Sequence, residues 1–429
     1  MKAESNFTLN SLIIGVDGQD RNIDIKKVIS LVYIEDIKSA SVQVFISLTD
    51  TAEGELSRLV GMEPVFLNYE DADKNNGFNG NLMVFDVQNR EISNNQSKVT
   101  ICCCNPDLIN NAAAKISRRF GAGGGKTIDK IVKEDILEGI LGTTNDIDAR
   151  KTKNTFSFVS PYWSPFTMIN YLASKSIPAK SKSSENASAG YAFYENANGY
   201  HFRSYDSFCD DKFTFKVIVG YESPKEAEPE PDIIEVSTMN VAETGDVLMG
   251  LNIGSFNSKV MTFDMKDMGY QEYDFNIHKY YDSVPKLNGD VKLPKYFEKF
   301  KKNTVPTRIM SKVIDTALYT EGTFTQDITK LLSQSSLREK LFYNKKVEIS
   351  FTGTLAPKVG DLVELSSFTG KTRELDTANS GIYVIGRIER EYISSTDRMT
   401  TNMVLYTDSA GDVETTTQTF DANSNKLVK

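Results

Sequence analysis

The first part of the chain, residues 1–105, consists of short apolar runs separated by polar and turn residues. In the segment SASVQVFISLTD, apolar side chains alternate with polar ones at Val42, Val44, Ile46 and Leu48, which is typical of a half-buried strand. The runs EPVFLNYED and GNLMVFDVQNREI predict a hairpin, and KVTICCC predicts another strand. Several short strands with turns between them indicate a small barrel or sandwich.

After these strands the apolar spacing becomes helical. The chain predicts one helix over 105–120, opened by Asn105-Pro106, and a second helix over 127–142, where the apolar residues keep a period of about 3.6 until Gly142 ends it. A third helix is predicted at Ser164-Pro165, and a hairpin is predicted to turn near Asn198-Gly199. The middle of the chain is therefore predicted to be mixed helix and strand.

The remainder of the chain returns mainly to strands. KFTFKVIVGYE and IIEVSTMNV are strand-like, TQDITKLLSQSSLREKLF predicts a helix, and KKVEISFTG, GDLVELSSF, GIYVIGRIEREYI and MTTNMVLYTDS predict strands. PTRIMSKVIDTAL fits either a strand or a helix, and YQEYDFNIHKYYDS gives no clear prediction. The predicted fold class is α+β and mainly β, with two β units and a mixed segment inserted between them.

Composition and charge narrow the possible functions. The 429 residues are 40% hydrophobic and 25% charged, with two histidines, four cysteines and a net charge of −9. A net negative charge argues against a dedicated nucleic-acid binder, which normally presents a basic face. The absence of an apolar run of roughly 20 residues and of a signal-peptide core predicts folding in a cytoplasm.

The segment RRFGAGGGKTIDKIV is the strongest candidate for chemistry, because a phosphate-binding loop has the pattern G-x-x-x-x-G-K-[ST] after a buried strand. Gly125-Lys126-Thr127 supplies the end of that pattern, but Phe120 stands where the first glycine is required. The predicted context is also a helix rather than a buried strand. The segment is therefore interpreted as a helix end, a turn and a helix start, in which Thr127 caps the next helix.

Other candidate sites are weaker still. Metal-binding cysteines occur as C-x₂₋₄-C pairs, whereas Cys102 to Cys104 are adjacent and fit buried side chains at a strand end. DADKNNG lacks the glycine and glutamate positions of a calcium loop, and His201 has no nucleophile beside it in the sequence. We expect no catalytic, cofactor or metal site, and no enzyme.

Three segments resemble the baseplate central hub proteins of contractile-tailed bacteriophages. TFSFVSPYWSPFTMINYLASKS with AGYAFYENANGYHFRSYDSF is similar to the central segment of that family, where a helix start is followed by an aromatic hairpin. VTICCCNPDLINNAAAKISRRF resembles its strand, helix and S-R-R-F ending, and FTGTLAPKVGDLVELSSF with SGIYVIGRIEREYI and TTNMVLYTDS resembles its C-terminal strands. The pattern extends over about three-quarters of the chain and is shared with the N-terminal half of type VI secretion spike proteins.

The resemblance implies a structural virion protein of the tail baseplate. In that family, three chains with two tail-tube-like barrel domains each form a ring that adapts a sixfold tail tube to a threefold spike around the DNA channel. The implied partners are further copies of the chain, a tail-tube or tube-initiator protein, a trimeric spike protein, and baseplate wedge and tape-measure proteins. DNA would pass without sequence-specific binding, and assembly would take place in the host cytoplasm.

Mapped onto this chain, the resemblance implies four regions. They are a first tube-like domain at 1–105, an inserted helical and hairpin domain at 106–210 continued at 256–304, a second tube-like domain at 211–255 and 305–408, and a polar tail at 409–429. The alternating strands 42–48 and 382–391 are the candidates for the channel or interface, because their polar members must face water. The residues named for this role are Val42, Gln43, Val44, Tyr383, Arg387, Glu389 and Glu391.

Three alternatives remain open at the level of the sequence. The first is a nucleotide-binding enzyme that uses Lys126. The second is another tail component or a secretion spike; a fused spike would need a repetitive β-helix after residue 408, where this sequence has only a short polar stretch. The third is a glycan-binding tail module, suggested by strand content and aromatic residues.

Overall fold

The computed structural model describes most of the chain. The described residues are 7–51, 54–72, 74, 76–93, 96–121, 126–179, 189–220, 233–236, 238–244, 247–254, 257–281, 284–288, 306–314, 328–369, 374–409, 419–421 and 426–428.

Strands are the main elements of this fold. The first twelve, in chain order, are β1 (Phe7–Val16), β2 (Gln19–Asn22), β3 (Val28–Asp36), β4 (Gln43–Thr51), β5 (Pro64–Asp71), β6 (Gly77–Ser93), β7 (Gln96–Cys104), β8 (Arg119–Phe120), β9 (Ile147–Ala149), β10 (Phe158–Val159), β11 (Tyr191–Asn196) and β12 (Gly199–Ser204). The others are β13 (Phe215–Val219), β14 (Ile233–Val236), β15 (Met239–Thr244), β16 (Asn257–Asp264), β17 (Tyr270–Asn276), β18 (Arg308–Ile314), β19 (Lys345–Thr352), β20 (Leu362–Thr369), β21 (Glu374–Leu375), β22 (Gly381–Ile393), β23 (Arg398–Thr407), β24 (Thr419–Asp421) and β25 (Lys426–Val428).

Fewer of the described elements are helices. They are α1 (Pro106–Ala113), α2 (Ile128–Lys130) continuing as a π-helix (Ile131–Leu141), α3 (Pro165–Ala173), α4 (Val247–Ile253), α5 (Ile277–Tyr281) and α6 (Ile328–Phe342), with 3₁₀ turns at Ile25–Lys27, Glu55–Arg58 and Tyr205–Asp210. The α+β, mainly β prediction is confirmed.

One 15-stranded sheet joins the two ends of the chain. Its main path runs β14-β13-β20-β22-β3-β4-β7-β6-β5-β1-β2, and β15, β19, β21 and β23 pair off that path. The pairing between β22 and β3, from Ile393–Ser30 to Arg387–Asp36, unites strands that lie more than three hundred residues apart in the sequence. The strands of this sheet, as far as they are described, form an open path rather than a closed barrel.

The inserted segment is built as the sequence predicts in most places. Gly142 ends the π-helix with a left-handed backbone (φ 64°), Pro165 starts α3, and β11 pairs with β12 across the turn at Ala197 and Asn198. The prediction of a helix over 105–120 is wrong in its second half, since α1 ends at Ala113. The residues after it become extended, and Arg119–Phe120 pairs with Phe158–Val159 because Phe120 packs against the Phe158 ring.

A smaller sheet accounts for the segments that the sequence left ambiguous. β16 is its central strand, pairing antiparallel with β17 and parallel with β18. YQEYDFNIHKYY therefore contains β17 followed by α5, and RIMSKVI forms β18. Helix α6 packs on this sheet through Leu337 and Leu341, which share a buried cluster with Phe275 and Tyr281.

The domain boundaries stay a prediction. Strands of 1–105 and of 211–255 and 345–407 share the large sheet, while β18 of the predicted second tube-like domain pairs with β16 of the small sheet. In the predicted polar tail, β24 and β25 pair with each other.

Candidate interface face of the central sheet

The alternation in β4 gives the large sheet two different faces. Val44, Ile46 and Leu48 are fully buried on one side, whereas Gln43 and Phe45 are half-buried on the other. The period of two places successive side chains on opposite faces of a strand. The predicted strand over 42–48 is confirmed, and its polar members do lie on a single face.

The same half-exposed face continues across β3 and β22. Glu389 is the register partner of Ile34, and Ile34 is the register partner of Gln43. On the other side of β22, Glu389 is opposite Asn402 of β23. Two of the predicted residues, Gln43 and Glu389, therefore stand in one row across three strands from opposite ends of the chain. We call the surface formed by Gln43, Asp36, Arg387, Glu389 and Glu391 the polar face.

A β-bulge at Gly386 decides which residues of β22 reach the polar face. Ile385 pairs with Leu405 and Arg387 pairs with Val404, so Gly386 is an extra residue between them. A Cβ at Gly386 would lie 2.1 Å from the Tyr406 ring, which only glycine avoids. Because the extra residue reverses the alternation, Tyr383 and Ile385 point into the core while Arg387 and Glu389 point out of it.

Three of the predicted residues lie in the interior instead of on the polar face. Val42, Val44 and Tyr383 are buried. Tyr383 donates its hydroxyl to the Asn379 carbonyl at 2.8 Å, and burial raises the pKa of that hydroxyl. The Val42 backbone N–H donates to Glu195 Oε2 at 2.8 Å. These residues thus support the strands that carry the polar face.

Ion pairs order the charges on the polar face. Arg387 Nη2 lies 2.9 Å from Glu389 Oε2, and Arg387 Nη1 lies 3.8 Å from Asp36 Oδ2. All three side chains are partly exposed, from 27% to 40%. One arginine is therefore shared by two carboxylates, and with Glu391 the face carries more negative than positive charge.

A buried carboxylate behind the polar face fixes the strands to the inserted segment. Glu35 of β3 is fully buried and accepts hydrogen bonds from the Tyr33 hydroxyl at 2.7 Å, the Ala197 N–H at 2.8 Å and the Val359 N–H at 2.9 Å. Glu35 is not among the residues that the sequence predicts for the site. Its signal is a glutamate at the same alternating positions as Leu31 and Tyr33, on the apolar side of the strand.

A second buried carboxyl group, that of Glu195 in β11, joins the start of β4 to the inserted segment. Besides the Val42 N–H, it accepts hydrogen bonds from Asn105 Nδ2 and from Asn145 Nδ2, the latter at 3.0 Å. Desolvation by burial is the largest influence and raises the pKa of Glu195 from 4.5 to about 8, although the donated hydrogen bonds act in the opposite direction. Glu35 and Glu195 hold the polar strands and the inserted hairpin together.

In the candidate phosphate-binding segment, Lys126 pairs with carboxylates of the same chain. Residues 122–125 lie outside the described residues. Lys126 Nζ lies 2.9 Å from Glu134 Oε2 and 2.6 Å from Asp135 Oδ1, so the lysine is paired with carboxylates of the π-helix. Thr127 is the N-cap of α2 without a capping hydrogen bond from its side chain, contrary to the predicted side-chain cap.

The candidate cysteines are buried, and His201 is half-buried. Cys102, Cys103 and Cys104 are buried thiols at the end of β7, and burial raises their pKa values, to about 12 for Cys104. His201 stacks on Tyr194 and hydrogen-bonds Asn196 Oδ1 at 3.0 Å. Within the described residues there is no group of three or more metal-ligating side chains. None of the helices described is long and apolar enough to cross a membrane.

Two solved structures of tail proteins have a similar architecture. A 43 kDa tail protein of prophage MuSo2 from Shewanella oneidensis aligns over 93% of this chain and 98% of its own length, with TM-score 0.52 and 8% identity. A tail protein from Neisseria meningitidis MC58 aligns over 94% and 97%, with TM-score 0.54 and 8% identity. The chain has the fold of these two tail proteins.

The resemblance read from the sequence is confirmed at the level of the fold. The two tail proteins match the chain over nearly its whole length, so the likeness includes both ends of the large sheet and the inserted segment. No protein-family model and no curated protein sequence matches the chain.

Proposed function

We propose that this tail-protein fold serves as the homotrimeric central hub of a phage tail baseplate. The observation that carries the proposal is the single sheet in which β3 and β4 of the first unit join β22 and β23 of the last. Two similar β units fused side by side in each chain would give six units in a trimer. Such repetition allows a ring to match a sixfold tube on one side and a threefold spike on the other.

The polar face is the surface that would line the DNA channel of this ring. Its carboxylates at Asp36, Glu389 and Glu391 outnumber the cation at Arg387. A mildly acidic wall repels phosphate and reduces sticking, so DNA can pass without being bound. The apolar side of the same strands packs in the core, where Glu35 and Glu195 keep the strands in register with the inserted segment.

The proposed partners follow from this role. A tail-tube or tube-initiator protein would dock on one side of the ring and a trimeric spike protein on the other, and wedge and tape-measure proteins would contact the remaining surfaces. The regions 1–105 and 211–255 with 305–408 are proposed as the two tube-like domains. The hub acts by assembly in the virion tail after formation in the host cytoplasm, and needs no cofactor or catalytic residue.

Reversing the charge of the polar face tests the channel role. We expect Glu389→Lys with Glu391→Lys to leave the fold and the trimer intact and to create a basic wall that binds passing phosphates. The assembled protein should then gain about tenfold or more in affinity for duplex DNA, with a steep decrease as salt is raised, measured by fluorescence anisotropy. Particles carrying the variant should eject DNA more slowly.

The matched control carries the same change of net charge elsewhere. Glu138→Lys with Asp267→Lys alters two exposed carboxylates outside the large sheet and should change DNA affinity much less. Equal DNA affinity in both variants, with unchanged trimerisation, tube docking and ejection, would remove the support for the polar face as the channel wall.

A further inference from the structure

An exposed tyrosine in a strained backbone conformation projects from the inserted segment. Tyr162 has φ 62°, in the left-handed region that bulky residues rarely adopt, and its side chain is 69% exposed. Left-handed backbone costs free energy for any residue other than glycine. Since an exposed ring contributes little to packing within the chain, packing within the chain does not offset the cost of placing a tyrosine there.

Backbone hydrogen bonds on both sides hold Tyr162 in this position. The Ser160 N–H donates to the Arg118 carbonyl at 3.0 Å, and the Ile116 N–H donates to the Trp163 carbonyl, also at 3.0 Å. Trp163 is anchored in turn against Tyr171, with ring centroids 5.0 Å apart. The loop is therefore fixed to residues 116–118, just before β8, and these hydrogen bonds hold the strained backbone in place.

The segment opposite Tyr162, residues 115–119, carries exposed cations and leads into β8. Lys115, Arg118 and Arg119 are all exposed, and Arg119 pairs in register with Val159, whose side chain is 57% exposed. The Arg118 guanidinium lies 4.7 Å from the centroid of the Phe120 ring, and Arg119 Nε donates to Ser157 Oγ at 3.3 Å. These contacts reduce the freedom of both arginines and thus the entropy that a partner must overcome.

The local charge contrasts with that of the whole chain. The two segments that form this surface, 108–121 and 155–178, contain no aspartate or glutamate, although acidic residues outnumber basic ones 58 to 49 in the chain. Two other exposed apolar residues of the described part of the chain have a left-handed backbone, Met62 and Met268, but each has an acidic neighbour in the sequence. Tyr162 is distinguished from them by the cations beside it.

We propose that Tyr162, Val159, Lys115, Arg118 and Arg119 form a docking surface for a protein segment that presents carboxylates beside an aromatic or apolar side chain. The arginines would pair with the carboxylates, and the Tyr162 ring would cover the apolar group. Three cations on one short stretch are few for a nucleic-acid site, and the net charge of −9 opposes the approach of phosphate. A protein partner is therefore favoured over nucleic acid, and this conclusion does not depend on the trimer.

The test uses the full chain and three probes: a random copolymer of glutamate and tyrosine, polyglutamate, and duplex DNA. Wild-type protein should bind the copolymer about tenfold more tightly than polyglutamate, because only the copolymer offers aromatic groups. Arg118→Glu with Arg119→Glu should abolish binding of both polymers. Lys26→Glu with Lys266→Glu, which reverses two exposed charges elsewhere, should leave both affinities within about twofold.

Tyr162→Gly separates docking from folding. Glycine removes the left-handed strain, so the Tm should be unchanged or higher, while the preference for the copolymer over polyglutamate should disappear. Tyr162→Phe should retain that preference. A Tm loss in Tyr162→Gly, a preference that survives it, equal losses in the two charge-reversal variants, or tighter binding of DNA than of the copolymer would each overturn the proposal.

Discussion

Replacing Arg338 by methionine is expected to destabilise the protein by about 3–5 kcal/mol, because it removes the buried cation that pairs with the buried Asp408 and the half-buried Asp206. Arg338 of α6 is fully buried, with Nη1 2.8 Å from Asp408 Oδ2 and Nε 3.0 Å from Asp206 Oδ1. Its Nη2 also donates to the Pro285 carbonyl at 3.0 Å. One guanidinium thereby connects the helix over the small sheet to the end of β23 in the large sheet. Urea denaturation measures the loss.

Two controls separate this effect from a general effect of removing a cation. Arg387→Met removes an arginine that is 40% exposed on the polar face and should change stability by less than about 1 kcal/mol. Adding Asp206→Asn and Asp408→Asn to Arg338→Met should restore part of the loss, since the uncompensated charges are then gone. Equal stability of the Arg338→Met and Arg387→Met proteins would contradict the role assigned to Arg338.

Glu195 is expected to make the protein less stable as the pH rises from about 4.5 to 8. Its pKa is raised to about 8 by burial, so over this range the folded protein keeps the proton that the unfolded chain releases. The contribution is fully present below pH 4.5 and decreases by at most about 1.4 kcal/mol per pH unit towards the folded-state pKa. Urea denaturation at several pH values measures the slope.

Glu195→Gln should flatten this pH dependence. The amide does not ionise, so the variant lacks the contribution of Glu195, although the loss of one acceptor for the Val42, Asn105 and Asn145 donors adds a constant offset. Glu364→Gln, at a partly exposed position on β20, serves as the matched control and should follow the wild-type slope. Parallel curves for wild type and Glu195→Gln would show that Glu195 does not titrate in this way.

Local patterns in the sequence predict many of the elements and one side of the candidate site. The period of two in β4, the proline that starts α3 and the turn at Asn198 all depend on residues that are close in the chain. The alternation in β4 places Gln43 and Val44 on opposite faces, whereas the sequence-based prediction names both of them for the channel or interface. The helix before Arg118 is overpredicted because the pairing of β8 with β10 competes with the helical period.

The arrangement of the large sheet depends on contacts that no local pattern contains. The pairing of β3 with β22 joins distant segments, and the bulge at Gly386 interrupts an alternation that looks regular from 382 to 391. The bulge separates Tyr383 from Glu389 by face, although both are odd-numbered positions of the same strand. The sequence does not mark Glu35 and Glu195 as buried, because their hydrogen-bond partners come from distant segments that only the fold brings together.

The mass of the purified protein, alone and mixed with the spike protein of the same tail, tests the hub proposal most directly. Native mass spectrometry should show an assembly of three 47.9 kDa chains, either alone or on addition of the trimeric spike. The assembly should form at micromolar protein and survive physiological salt, as expected for an interface with an apolar core. A strict monomer in both settings would contradict the proposal that the chain is a trimeric hub.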